Sequence, residues 1–227
     1  MSVFKAYDIR GIAGEELDAN FSERLGRAIA THLDAKSVSL VRDIRESGPE
    51  YHKAFVKGLR SSGVDVIDLG ISTTGVLYRS TVDLPVDASV AITASHNPPE
   101  YNGFKICQGK MPLGGEDLQD IRRTFEAGDF RTGEGAYLSM DDYEDSYIGA
   151  IEDSVERPLR EIRIVLDCGN AVPGPLAVRT LERLGVDVIP IYCDWDNSFP
   201  NHPPDPTRQK NMVDLGKAVV EHGAEFG

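Results

Sequence analysis

Residues 38–69, VSLVRDIRESGPEYHKAFVKGLRSSGVDVIDL, set two short apolar runs either side of an amphipathic segment. Val38-Ser39-Leu40-Val41 is a short apolar run that ends in the charged Arg42-Asp43-Ile44-Arg45, and it predicts a strand. Ser47 near a cap, Pro49 in a first turn, and Phe55 and Leu59 on one face predict a helix. Gly63 stops that helix, and Val64-Asp65-Val66-Ile67-Asp68-Leu69 predicts the next strand. Short apolar runs alternating with amphipathic segments are the pattern of an α/β protein.

Outward from this stretch the alternation continues. After an extended start, Phe21, Leu25 and Ile29 recur every four residues, which predicts a helix capped by Asn20 or Ser22. Ala88–Thr93 is a β-rich run, with Phe104-Lys105-Ile106-Cys107 as its hairpin partner beyond a Pro-Pro-Glu-Tyr-Asn-Gly turn. Leu118, Ile121 and Phe125 mark a helix closed by Gly128. Residues 129–140, polar and glycine-containing, are expected to form a loop. Tyr143, Tyr147 and Ile151 predict a helix from Asp141 to Val155 that ends at Arg157-Pro158 and links to a second α/β unit. That unit has strands at 162–166 and 186–191 and helices at 176–184 and 212–221. The residues after 221 normally lead into a further strand, so the second unit is expected to stop before its fold is complete. The organisation expected is therefore a first domain over 1–140, a linking helix over 141–157 and a second, incomplete domain over 158–227.

The 227 residues carry a net charge of −13, from 24 basic and 37 acidic side chains. That excludes a global basic field for nucleic acid or for a membrane surface. The acid excess is concentrated in residues 114–153. The first 113 residues hold 14 acids against 13 bases, so an anionic substrate is compatible with that half. Cys107, Cys168 and Cys193 are widely spaced and read as buried or free thiols of a reducing compartment. With no apolar leader-like segment and no run near the length of a membrane span, a cytoplasmic location is expected.

The most unusual stretch is Thr93-Ala94-Ser95-His96-Asn97-Pro98-Pro99-Glu100-Tyr101-Asn102-Gly103-Phe104-Lys105. Pro98 holds Asn97 extended and keeps a helix from starting. Ser95 is thereby placed on a stiff loop at a strand's C-terminal end, where ligand sites of open α/β sheets gather. A serine there suits a nucleophile or a phosphate acceptor and donor; a turn without chemistry is the plainer alternative. His96, Lys105 and Arg10, in Tyr7-Asp8-Ile9-Arg10-Gly11, supply positive charge or proton transfer, and each alone also fits a solvated surface charge. There is no GxSxG elbow, Walker A loop, GxGxxG fingerprint or paired-histidine zinc spacing.

Tyr7–Gly11 and Thr93–Lys105, with Leu166-Asp167-Cys168-Gly169-Asn170 and Phe199-Pro200-Asn201-His202-Pro203-Pro204-Asp205-Pro206, strongly resemble the α-D-phosphohexomutases. The resemblance is to their phosphomannomutase/phosphoglucomutase branch, in the family's order and over nearly the whole chain. It implies layered α/β/α mixed-sheet domains of the phosphohexomutase type. It implies that Ser95 is a phosphoserine that exchanges its phosphoryl group with a glucose or mannose phosphate. The exchange interconverts the 1- and 6-phosphates through a hexose 1,6-bisphosphate. Arg10, His96 and Lys105 match positions around that serine, as phosphate ligands or in proton transfer, and Asn97 would support the loop. Mg²⁺ would bind a phosphoserine oxygen and three aspartates of a D-G-D-x-D-R loop. No D-G-D-x-D-R occurs in these 227 residues. The expectation is thus the first domain and most of the second of a four-domain enzyme, inactive by itself. The alternatives are a non-catalytic phosphosugar-binding remnant and, lower, a phosphoglucosamine mutase or a phosphopentomutase.

Overall fold

The computed structural model describes residues 3–156 and 162–227. It divides into two compact units. The first runs to Ser95 and again over Glu100–Asp141; the second holds His96–Pro99 and Asp142–Gly227.

The first unit is built on strands β1 (Ile9–Ile12), β2 (Ser37–Arg42), β3 (Asp65–Ile71), β4 (Ala88–Ile92), β5 (Tyr101–Gln108), β6 (Met111–Pro112) and β7 (Tyr137–Ser139). Its helices are α1 (Ala19–His32), α2 (Gly48–Arg60), α3 (Thr74–Asp83) and α4 (Glu116–Ala127). The sheet order is β1-β5-β4-β2-β3-β7, with β6 on β5. β4, β2, β3 and β7 run parallel, whereas β1 and β5 are antiparallel to their neighbours. Side chains alternate across a strand, and that alternation sorts the two faces. Val38, Leu40, Val90 and Ile92 join Leu25, Ile29, Phe55, Leu59 and Ile121 in one core, so α1, α2 and α4 cover that face. Fully burying a side chain such as Phe55 or Leu59 is worth roughly 1.5–3 kcal/mol. The intervening Ser39 and Ser89 point the other way, where Ser39 Oγ meets Ser89 Oγ at 2.7 Å and Ser80 Oγ of α3 at 2.8 Å. The result is an α/β/α sandwich on a mixed sheet.

The predicted elements form with local corrections. The cap of α1 is Asp18, not Asn20 or Ser22; its carboxylate accepts from the Phe21 N–H at 2.6 Å. Both of the other residues are already inside the helix. Helix α3 had no counterpart in the sequence reading. It is a short ten-residue helix with three buried side chains, Val76, Leu77 and Ser80, which leaves little periodic signal. The expected loop over 129–140 contains β7, which adds to the sheet edge beside β3 although its three residues are exposed. Tyr101, Asn102 and Gly103, read as part of a turn, already lie in β5.

In the second unit, β8 (Arg163–Asp167) pairs parallel with β9 (Asp187–Ile191). Around them are α5 (Tyr143–Ser154), α6 (Gly174–Arg183), a 3₁₀ turn (Gln209–Met212) and α7 (Val213–Glu221). Val165 packs on Leu215 and Ala218, with Ile189, Ile191 and Val219 partly buried around them. Beyond α7 the chain returns beside β8: Glu225 N–H donates to Arg163 O at 2.9 Å and Phe226 bridges Ile164. Arg179 ties α6 to α5 through Glu144 and Asp145. The expected close of α5 at Arg157-Pro158 lies outside the described residues. Among the described residues no helix is long and apolar enough to cross a membrane.

Candidate active site

Ser95 sits in the turn immediately after β4 and is exposed. Its φ is +57°, the left-handed region that a residue with a Cβ enters at a cost of roughly 1–2 kcal/mol. Both of its peptide groups are held. The Ser95 N–H donates to Thr93 Oγ1 at 2.9 Å, and the Ser95 carbonyl accepts from Arg45 Nη2 at 2.9 Å. Arg45 reaches from the β2–α2 loop, with its side chain only 1% exposed. Its Nη1 donates to Tyr101 O at 2.8 Å, and its Nε donates to Asp43 Oδ2 at 3.1 Å. The same Oδ2 accepts from Thr93 Oγ1 at 2.7 Å, while Asp43 Oδ1 accepts from the Arg45 N–H at 3.0 Å. Burial pulls the Arg45 guanidinium below its ordinary value, and the adjacent Asp43 charge acts in the opposite sense.

Arg10 and Lys105 come together on one carboxylate. Asp8 Oδ2 accepts from Arg10 Nη2 at 2.5 Å and from Lys105 Nζ at 3.2 Å. Their strands explain the meeting: β1 lies antiparallel to β5, with Arg10 opposite Gly103. Gly103 is required there, because a Cβ on it would lie 2.2 Å from Ile9 O. Behind it, buried Asn102 donates from Nδ2 to Ser47 Oγ at 2.8 Å and accepts from the Gly103 N–H. His96 is exposed and Asn97 half-buried in the residues that follow the serine.

The other two motif stretches also meet, in the second unit. Asn201 Nδ2 donates to Asn170 Oδ1 at 2.7 Å, and His202 Nε2 donates to Asp167 Oδ2 at 3.0 Å. The second ring nitrogen, Nδ1, faces Pro203 O at 2.9 Å. With oxygen acceptors on both nitrogens, the doubly protonated imidazolium is the form that satisfies both bonds. Burial alone would pull His202 down, but the Pro203 carbonyl and Asp167 outweigh it and its pKa is raised. Nearby, the Cys193 thiol donates to Leu166 O at 3.3 Å; the influence of each thiol on the other raises Cys168 and lowers Cys193.

The sequence reading did not single out Asp8, Asp43, Thr93 and Arg45, which the structure brings into this hydrogen-bonded cluster. The signal available was Arg42-Asp43-Ile44-Arg45, a charged run directly after an apolar strand, where charge is costly to bury unless paired. A groove of about 960 Å³ along α2, lined in part by His52, Lys53, Lys57 and Tyr137, shares no residue with this cluster. The described residues do not fit a divalent cation. No group of three or more His, Cys, Asp or Glu side chains among them is arranged to hold one. Asp8 and Asp43 are each already committed to cationic partners.

An α/β/α sandwich with a serine turn of this kind matches one family over both units. The description "Phosphoglucomutase/phosphomannomutase, alpha/beta/alpha domain I" matches residues 1–132, and the corresponding domain II matches residues 145–227. The chain belongs to the phosphoglucomutase/phosphomannomutase family. It is 40% identical to a phosphomannomutase/phosphoglucomutase of Pseudomonas aeruginosa, over 100% of this chain and 49% of the relative. It is 40% identical to a phosphomannomutase of Salmonella typhimurium, over 100% of this chain and 52% of the relative. A crystal structure of a family protein from Burkholderia thailandensis superposes with a TM-score of 0.94 at 37% identity. That match covers 98% of this chain and 51% of the other. The chain spans about half the length of the curated relatives it matches.

Proposed function

We propose that the whole protein is a phosphomannomutase/phosphoglucomutase acting through Ser95 on the 1- and 6-phosphates of glucose or mannose. The observation that carries this reading is the serine turn itself: an exposed serine in a left-handed conformation, held at both peptide groups and followed by the family's His-Asn-Pro sequence. The names of the relatives support the substrate class.

In this mechanism a free sugar hydroxyl oxygen attacks the phosphorus of phospho-Ser95. A new oxygen–phosphorus bond forms and the bond to Ser95 Oγ breaks. The hydroxyl proton passes to a side-chain base, and Ser95 Oγ takes up a proton as it leaves. The hexose 1,6-bisphosphate so formed turns over and returns its other phosphoryl group by the reverse steps. Arg10 and Lys105 bind phosphate oxygens, His96 and Lys105 are the proton-transfer candidates, and Asn97 supports the loop. Mg²⁺ would be held by a phosphoserine oxygen on Ser95 together with aspartates that the described residues do not supply. When bound, it would neutralise phosphoryl charge. We read residues 1–140 as the domain that carries the serine, 141–157 as the segment that links it onward, with α5 inside it, and 158–227 as part of the second domain. Neither nucleic acid nor a membrane enters this reading, and we place the protein in the cytoplasm on the strength of its three free thiols.

The test uses the intact gene product, whose mass is expected to lie well above that of 227 residues. With glucose 1-phosphate and glucose 1,6-bisphosphate, Ser95→Ala is expected to lose at least ~10³-fold in turnover with its fold intact. Near-wild-type turnover of that variant sinks the phosphoserine assignment.

A further inference from the structure

Among the residues around the serine, Arg45 is the most deeply buried cation, and no part of the reaction scheme above uses it. Its three donor groups are spent on three fixed acceptors: the Ser95 carbonyl, the Tyr101 carbonyl and the Asp43 carboxylate. Those two carbonyls flank the serine loop, one at its start and one where β5 begins. Asp43 passes the constraint to Thr93, and Thr93 passes it to the Ser95 N–H. A closed circuit of hydrogen bonds thus runs from Ser95 C=O through Arg45, Asp43 and Thr93 back to Ser95 N–H. It encloses the one residue of the loop whose φ is left-handed.

A left-handed serine without such support relaxes towards ordinary β or α backbone, and its Oγ swings to a new direction. Arginine is the side chain whose planar fork bonds three acceptors in fixed directions at once; lysine carries its charge at a point and does not. A pair buried this deeply adds little net stability and is weak evidence for a stabilising role. Its geometry fits a different one.

We propose that Arg45 is a positioning residue which, through Asp43 and Thr93, sets the backbone of Ser95 so that its hydroxyl is aimed for in-line phosphoryl transfer. Arg45 touches neither phosphate nor sugar in this scheme. The inference rests on the reading of Ser95 as the phosphoryl carrier. It adds that the serine is correctly aimed only while the circuit is closed.

Thr93 provides the cleanest test, since removing its hydroxyl breaks the circuit while the Arg45–Asp43 ion pair keeps both partners. In the intact gene product, Thr93→Val removes the link at nearly constant volume, and Thr93→Ser restores it. With glucose 1-phosphate as substrate and glucose 1,6-bisphosphate as activator, Thr93→Val is expected to lower kcat about 10- to 100-fold, with KM changed less than about 2-fold. Thr93→Ser is expected to stay within about 3-fold of wild type, and Arg45→Lys to follow the valine pattern. If Arg45→Lys does not fold, the threonine pair decides alone. Wild-type kcat in Thr93→Val, while Ser95→Ala is dead, overturns the positioning role and leaves the phosphoserine standing. Equal losses in Thr93→Val and Thr93→Ser also overturn it, since packing rather than the hydroxyl would then be responsible. An active Ser95→Ala removes the underlying reading instead.

Discussion

Replacing Gly103 by alanine tests how closely three backbone segments approach beneath the serine turn. A Cβ at this position would stand 2.2 Å from Ile9 O, 3.1 Å from Thr93 O and 3.3 Å from Arg10 Cα. All three are main-chain atoms, so no flexible side chain can swing away. Ordinary contact for a Cβ begins at 3.4 Å, so β1 must retreat from β5 by about 1 Å or more. Overpacking of this kind costs about 1–3 kcal/mol. Loosening the adjacent ladder bonds adds ~0.5–1.5 kcal/mol for each bond lost. We therefore expect a total of about 2–4 kcal/mol. Gly103 is not among the residues with positive φ, so a shift in backbone preference contributes nothing to that figure. For a chain of this size the thermal midpoint should fall by roughly 6–15 °C, read by circular dichroism at fixed concentration. Because Arg10 is the register partner of Gly103, the same variant should move that cation and lower turnover of the intact protein. A midpoint within about 2 °C of wild type would refute the close approach on which this reasoning depends.

Three further outcomes can be checked together. Gly149 lies inside α5 with nothing within 4 Å of a built Cβ, so Gly149→Ala should stabilise by about 0.5–1 kcal/mol, read as a rise in denaturant midpoint; a loss of stability would contradict it. Burial pushes the Cys107 thiol up to about 11, which leaves about one part in 10³ as thiolate at pH 8. Iodoacetamide should therefore label it far more slowly than a free thiol until the protein unfolds. His202 has a raised pKa, with burial opposed by Pro203 O and Asp167, so its contribution to stability is full below its unfolded value of 6.5. That contribution is lost as pH rises through the raised native value. A histidine NMR titration should show the elevated midpoint, and Asp167→Asn should lower it.

Much of this architecture could be read from local patterns. The strand and helix at 38–60, the stop at Gly63, the hairpin of Phe104–Cys107 on Ala88–Thr93 and the close of α4 at Gly128 all depend on residues within a turn or two of each other. Periodicity and punctuation report such features directly. Helix α3 and strand β7 escaped for opposite reasons. The first buries too few side chains to show a period, and the second is an exposed three-residue edge that exists only because β3 offers it hydrogen-bonding groups.

By itself the sequence determined the α/β class and the two successive units, and it singled out the serine stretch with Arg10, His96, Asn97 and Lys105 as candidate companions. Those features are properties of residue type and short spacing, so they are present in the chain before it folds. The tertiary structure alone decided which charges meet. Asp8 joins Arg10 to Lys105 across 97 positions because β1 pairs antiparallel with β5. Arg45 reaches the Ser95 carbonyl across 50 positions because the loop after β2 lies beside the end of β4. His202 finds Asp167 across 35 positions in the same way. Such pairings are set by strand order and register, which follow from the burial of whole sheet faces rather than from any one stretch of chain.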